Sequence, residues 1–184
     1  CKPKADGEPD GPWEQMEPAD REAIMRIMAN VGKAFAAYER KLVSQDSPFD
    51  RYVAGDRDAL SASAKRGLKV FVGKGFCVQC HTGPIFSDQS FHNLGVPQVG
   101  ENVPEVDEGR FVDLPKALAN PYSAAGPFSD APEIGKQKVE GLTPTEADIG
   151  AFRTKNLRGV AESAPYFHNG AMASLRDVVE FYDQ

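Results

Sequence analysis

Cys77-Val78-Gln79-Cys80-His81 is the stretch on which the reading of this sequence turns. The chain holds three cysteines and three histidines in 184 residues, so a Cys-x-x-Cys-His run would arise by chance in roughly one such chain per thousand. The spacing has a chemical reason. Two thiols three positions apart on one turn reach the two vinyl groups of a porphyrin, and the adjacent imidazole then falls under the iron. The stretch therefore predicts haem c held covalently by Cys77 and Cys80, with His81 as an axial ligand. A thioredoxin-like pair would need the motif at a helix start after a strand, and Val70-Phe71-Val72-Gly73 is a poor strand inside a helical pattern. A structural zinc site would need a second pair of ligands, which neither the remaining cysteine nor a close histidine pair supplies. Haem attachment of this kind takes place outside the cytoplasm, so the expected location is the periplasm or beyond.

Working outward, the residues before the motif read as a helix with Ser61 as N-cap and Leu60, Ala64, Leu68 and Phe71 on its buried side, ending at Gly73 and Gly75. Further upstream, Ile24, Ile27, Met28, Val31, Phe35, Tyr38 and Leu42 step by three and four, predicting an amphipathic helix from Pro18 to Ser44. A last helix is expected from Ser174, with Asp177 as the capping-box acid and Leu175, Val178, Val179 and Tyr182 as its buried stripe. Between about Thr82 and Asn156 the pattern dissolves, and eight of the fourteen prolines fall between Pro84 and Pro144. An apolar cofactor that the chain wraps would account for so long an irregular stretch. The expected fold is mostly α, a cytochrome c-like haem domain over residues 17–184 with long irregular loops and an N-terminal amphipathic helix. Residues 1–16 read as a linker or arm.

Composition narrows the partners. A net charge of −6 argues against nucleic acid or anionic membrane as the main partner, and no apolar run approaches a bilayer span. The chain opens on Cys1 without a visible signal peptide, which suggests a processed or partial chain. Cys1 itself reads either as an incidental linker residue or as the lipidated first residue of a lipoprotein.

The second axial position on the iron has several candidates: Met172, His92, His168, Tyr166 and Tyr182, besides an open site. Residue chemistry alone puts Met172 first, because His/Met is the common pair in electron-transfer cytochromes c. Each candidate also has an ordinary reading. Met172 fills a loop or core gap, the histidines are hydrogen-bonded structural residues, and Tyr182 is a core aromatic on a helical stripe.

The run Phe152-Arg153-Thr154-Lys155-Asn156-Leu157-Arg158-Gly159-Val160, then Ala164-Pro165-Tyr166-Phe167-His168-Asn169-Gly170, then Leu175 to Tyr182, resembles the C-terminal haem domain of the di-haem cytochrome c peroxidase and MauG family. So do Ala36 to Arg40, Ser47 to Tyr52, Arg66 to Phe71, and Phe86-Ser87-Asp88 followed by Phe91-His92-Asn93. The resemblance covers about residues 17–184. It implies that the second axial ligand lies fourteen residues after His168, at Tyr182, where relatives carry Met or Tyr. Met172 becomes the alternative. It also implies a calcium ion at the backbone carbonyls of Ser163 and Pro165, between two haems.

One Cys-x-x-Cys-His motif stands here, whereas the resembled family has two. The expectation is the C-terminal portion of a di-haem protein, whose second haem domain is the partner. Its function would be the electron-relay half of a MauG-like peroxidase or oxidase that uses peroxide to oxidise an electron donor or protein substrate. The alternative is a mono-haem electron-transfer cytochrome c without catalysis, working with a redox partner protein.

Overall fold

The computed structural model describes residues 11–183, so Cys1 and its two readings lie outside the described residues. Helix α1 (Pro18–Glu39) starts where proline at the first helical position costs no hydrogen bond and Asp20 faces the helix N-terminus. It ends at Glu39 rather than at Ser44. The next helix, α2 (Pro48–Val53), opens on Ser47 and Asp50, which cap each other reciprocally, and a proline requires an extended residue before it. Helix α3 (Ala62–Val72) begins where the Ser61 hydroxyl accepts the Ala64 N–H at 3.1 Å, as its sequence foretold.

The stretch read as irregular holds more order than expected. Helix α4 (Arg110–Ala119) and helix α5 (Pro132–Val139) both lie within it. Two-residue strands β1 (Phe91–His92) and β2 (Phe152–Arg153) pair antiparallel, Phe91 opposite Arg153 and His92 opposite Phe152. Helix α6 (Leu175–Tyr182) closes the series. The described chain is thus mostly helical, with very little strand.

The described chain divides into two compact units. One comprises, among described residues, 11–43 and 120–140. Its packing centres on buried Phe128, stacked on Tyr122 and covered by the Arg26 guanidinium at 5.5 Å. Gly135 of α5 belongs to this packing, since a side chain there would overlap the Ala124 carbonyl. The apolar residues of α1 stay outside it, with Ile27 and Phe35 about 60 % and 62 % exposed.

The other unit comprises 44–119 and 141–183 and carries the site. In it, Leu60 and the apolar side of α3 (Ala64, Leu68, Phe71) line, with Phe49, Phe86 and Leu157, a cleft of about 360 Å³. The β1–β2 pair joins the segment after His81 to the run from Phe152, and the buried Ser87 hydroxyl adds a bond to the Thr154 carbonyl at 2.7 Å. Helix α6 differs from expectation on its packed face. Val179 is 67 % exposed, while Phe181 packs edge-on against Phe167 at 5.0 Å. Among the described residues, no helix is long and apolar enough to cross a membrane.

Candidate haem site

Two glycines turn the chain from α3 into the motif. A side chain at Gly73 would come within 2.7 Å of the Lys69 carbonyl oxygen, and one at Gly75 within 2.8 Å of that of Val70. Only glycine permits this close return. Cys77–Gln79 then form a 3₁₀ turn, and the His81 N–H reaches back to the Cys77 carbonyl at 2.9 Å. Cys77, Cys80 and His81 are therefore carried on one continuous coil. Neither Cys77 nor Cys80 is in a disulfide.

The imidazole of His81 is oriented by the backbone that follows it. Its Nδ1–H donates to the Phe86 carbonyl at 2.9 Å, which leaves the Nε2 lone pair for a metal. That carbonyl belongs to a tight loop. The Phe86 N–H bonds to Gly83, Ser87 to Thr82 and Asp88 to Cys80, the last two at 2.8 Å. Phe71 of α3 lies beside the His81 ring, centroids 6.5 Å apart.

The Arg158 guanidinium anchors the same loop from a distant part of the sequence. Its Nε–H donates to the Pro84 carbonyl at 2.6 Å, and its two terminal nitrogens grip Asp50 at 3.0 Å each. Arg158 holds the Asp50 carboxyl well below the ordinary carboxylate range, helped by the Ser47 hydroxyl and N–H, so the pair stays ionised. No sequence pattern pointed to this contact. The nearest available signal was Ser47-Pro48-Phe49-Asp50, which announces a capped helix but not its partner.

The candidate second ligands are distributed as follows. Tyr182 ends α6, 53 % exposed, against the Phe167 and Phe181 rings at 6.1 and 5.2 Å. Burial of its phenol raises its pKa, and the Cys80 and Cys77 thiols add to the rise. Met172 is paired through its backbone with Tyr166 in a narrow hairpin. The Tyr166 hydroxyl donates to the Val160 carbonyl at 3.0 Å. His168 stacks on Phe152 at 3.6 Å, with the Asp107 carboxylate 3.7 Å from its Nε2. His92 Nε2 is bonded to Asp88 at 2.8 Å.

Asp88, absent from the sequence reading as a ligand, gathers with His92 and Cys80 so that their donor atoms lie within 4.8 Å of one another. The trio could hold a metal only while Cys80 is a free thiol, because a thioether sulfur is a far poorer ligand. Ser163 follows the 3₁₀ turn Val160–Glu162 and donates to the Val160 carbonyl at 3.1 Å. Pro165 is joined to Ala164 by a cis peptide and packs near Gly170. Ser163 and Pro165 thus lie on one exposed loop leading into the hairpin that holds Phe167.

This donor set fits haem c. It offers two thiols outside any disulfide at the required spacing and an imidazole with Nδ1 already committed.

Comparison with known proteins agrees. A family model described as di-haem cytochrome c peroxidase matches residues 15–58. The cytochrome-c peroxidase IdrP1 of Pseudomonas sp. (strain SCT) is 42% identical over 164 residues, covering 85% of this chain and 41% of its own. The cytochrome c551 peroxidase of Pseudomonas aeruginosa is 36% identical over 150 residues, 82% of this chain and 35% of its own. The methylamine utilization protein MauG of Methylophilus methylotrophus is 33% identical over 154 residues, 83% and 36%. The crystal structure of a MauG-like protein associated with microbial copper homeostasis superposes with a TM-score of 0.55 at 26% identity, covering 80% of this chain and 40% of that one. The chain spans about two fifths of the length of the curated relatives it matches. Motif order, helical fold and relatives together show that this chain belongs to the di-haem cytochrome c peroxidase and MauG family.

Proposed function

We propose that the chain is the electron-relay haem domain of a MauG-like di-haem peroxidase or oxidase, in which peroxide oxidises an electron donor or a protein substrate. The observation that carries the reading is the committed imidazole: His81 has its Nδ1–H on the Phe86 carbonyl and its Nε2 free, one residue after Cys80. Haem c, when bound, supplies an iron that takes up and gives back one electron. Cys77 and Cys80 would hold the porphyrin covalently, and His81 Nε2 would be the protein's donor to its iron.

Tyr182 is proposed as the second, with Met172 as the alternative. Its phenol must give up the hydroxyl proton to bind through oxygen. The upward push that the thiols exert on this proton exists only while they can carry negative charge. Thioether formation removes it, and a nearby cation reverses its sign. Two other candidates are committed elsewhere, His92 Nε2 to Asp88 and the Tyr166 hydroxyl to the Val160 carbonyl, while His168 stacks on Phe152 with its buried Nε2 without a hydrogen-bond partner among the described residues. An anionic oxygen ligand favours oxidised iron, which suits withdrawal of electrons from a protein or amino-acid substrate.

The same reading puts calcium at the Ser163 and Pro165 carbonyls, makes a second haem domain the partner, and locates the protein in the periplasm. The second reading is a mono-haem electron-transfer cytochrome, in which Cys77, Cys80 and His81 would have the same roles.

Electronic and magnetic spectra of two variants test the assignment. Tyr182→Phe keeps the ring against Phe167 and removes the oxygen, so the oxidised haem should become five-coordinate or recruit a new ligand. Met172→Leu should leave the spectrum unchanged. A sulfur-to-iron charge-transfer band in the oxidised wild type, lost in Met172→Leu, would reverse the assignment and favour the mono-haem cytochrome.

A further inference from the structure

Arg158 has no place in the axial chemistry just described, yet it touches the His81 loop twice. Its Nε–H holds the Pro84 carbonyl at 2.6 Å, and its guanidinium lies 5.7 Å from the centre of the Phe86 ring. Phe86 is the residue whose carbonyl accepts the His81 Nδ1–H. The guanidinium is fixed at its far end by the fork onto Asp50 and by a 2.8 Å bond to the Ser44 carbonyl. Both side chains of the pair are largely buried, 17 % and 22 % exposed. Asp50 is locked in turn by the capping box of α2. A continuous line of directional bonds therefore runs from α2 through Arg158 and the loop backbone to the ring of His81.

We propose that Arg158 is a positioning residue for His81. It sets the strength of the Nδ1–H···O=C bond by fixing where the Phe86 carbonyl stands. This inference rests on the haem reading above and extends it to a residue that never meets the iron. The chemistry is direct. A stronger hydrogen bond from Nδ1–H makes Nε2 a better donor, and a better donor favours the oxidised iron. Lysine cannot reproduce the arrangement, because a single ammonium cannot grip a carboxylate through two nitrogens while a third donates to a carbonyl. It does keep the positive charge, so the substitution isolates geometry from the long-range field on the iron.

The test is made on the haem-loaded protein. In Arg158→Lys, exchange of the His81 Nδ1 proton with solvent, followed by NMR, should accelerate at least tenfold. The Fe(III)/Fe(II) potential should rise. Asp50→Asn loosens the other end of the fork and should accelerate exchange by a smaller factor. If Arg158→Lys lowers the melting temperature but leaves proton exchange and potential at wild-type values, Arg158 is merely structural and the proposal is wrong. Should Arg158→Lys yield no folded holoprotein, Asp50→Asn decides, and unchanged exchange there overturns the proposal. Wild-type protein whose haem is absent, or is recovered whole by acid–organic extraction, would sink the haem reading and this inference with it, an outcome read on the wild type before either variant is compared.

Discussion

Asp88 illustrates how a single side chain near the motif responds to pH. The hydrogen bond from His92, with help from the Ser90 N–H, holds its carboxyl at about 2, below the ordinary value. A carboxylate depressed in the folded state stabilises the fold above its unfolded pKa of about 4 and loses that contribution as the pH falls through the folded value. Wild-type protein should therefore melt higher than Asp88→Asn near neutrality, and the gap should close between about pH 4 and about pH 2. Parallel melting curves of the two proteins across that range are the check, and a gap that stays constant would contradict the account. At this scale the sequence was legible wherever the chemistry is local. Cys77, Cys80 and His81 are neighbours on one coil, and the roles of Ser61 and Ser174 depend on residues three positions away. The Phe86 carbonyl was not legible, because a backbone acceptor leaves no trace in residue identity. Nor was the pairing of Arg158 with Asp50, which are 108 positions apart and meet only through the fold.

The elements show the same division. Helix α6 begins where the sequence puts it, since Ser174 and Asp177 cap each other at 2.8 and 3.2 Å. Its packed face was misread because the hairpin beneath it decides which side is covered. Phe167, at a backbone φ of 66°, turns its ring onto Phe181 instead of the Val179 side. Helices α4 and α5 escaped notice for opposite reasons. Pro115 sits inside α4 and reads as a breaker. The eight residues of α5 include Gly135, which the chain requires for contact with Ala124 and which helix propensity penalises. Because α6 is short and carries Tyr182 on its last turn, its N-terminal cap matters for the site. Ser174→Ala should cost about 1 kcal/mol of stability. Asp177→Ala should cost a similar amount, and the double variant should lose less than their sum, because both belong to one reciprocal cap. Thermal unfolding of the holoprotein measures all three, and strict additivity would argue that the cap is not a unit.

On the scale of the whole molecule, the mostly helical haem fold was readable because the motif and its flanking helices define it. The division into two units was not, because segment 120–140 leaves the haem-bearing unit and joins α1 through contacts such as Arg26 over Phe128. The apolar residues of α1 remain exposed, and the relatives are more than twice as long as this chain. The proposal places a second haem domain against α1 and calcium at the Ser163 and Pro165 carbonyls. In the full-length protein, a chelator that strips calcium should lower peroxidase activity and loosen the contact between the haem domains. Full activity in protein assayed as calcium-free would remove calcium from the account. The haem reading depends on Cys77 and Cys80 forming thioether bonds, and mass spectrometry of the native protein after denaturation and proteolysis measures that directly. The peptide containing Cys77 and Cys80 should be heavier by one haem, with neither sulfur open to alkylation. The same peptide at its unmodified mass, with both thiols alkylated and the haem recovered in acid–organic extract, would contradict the central claim.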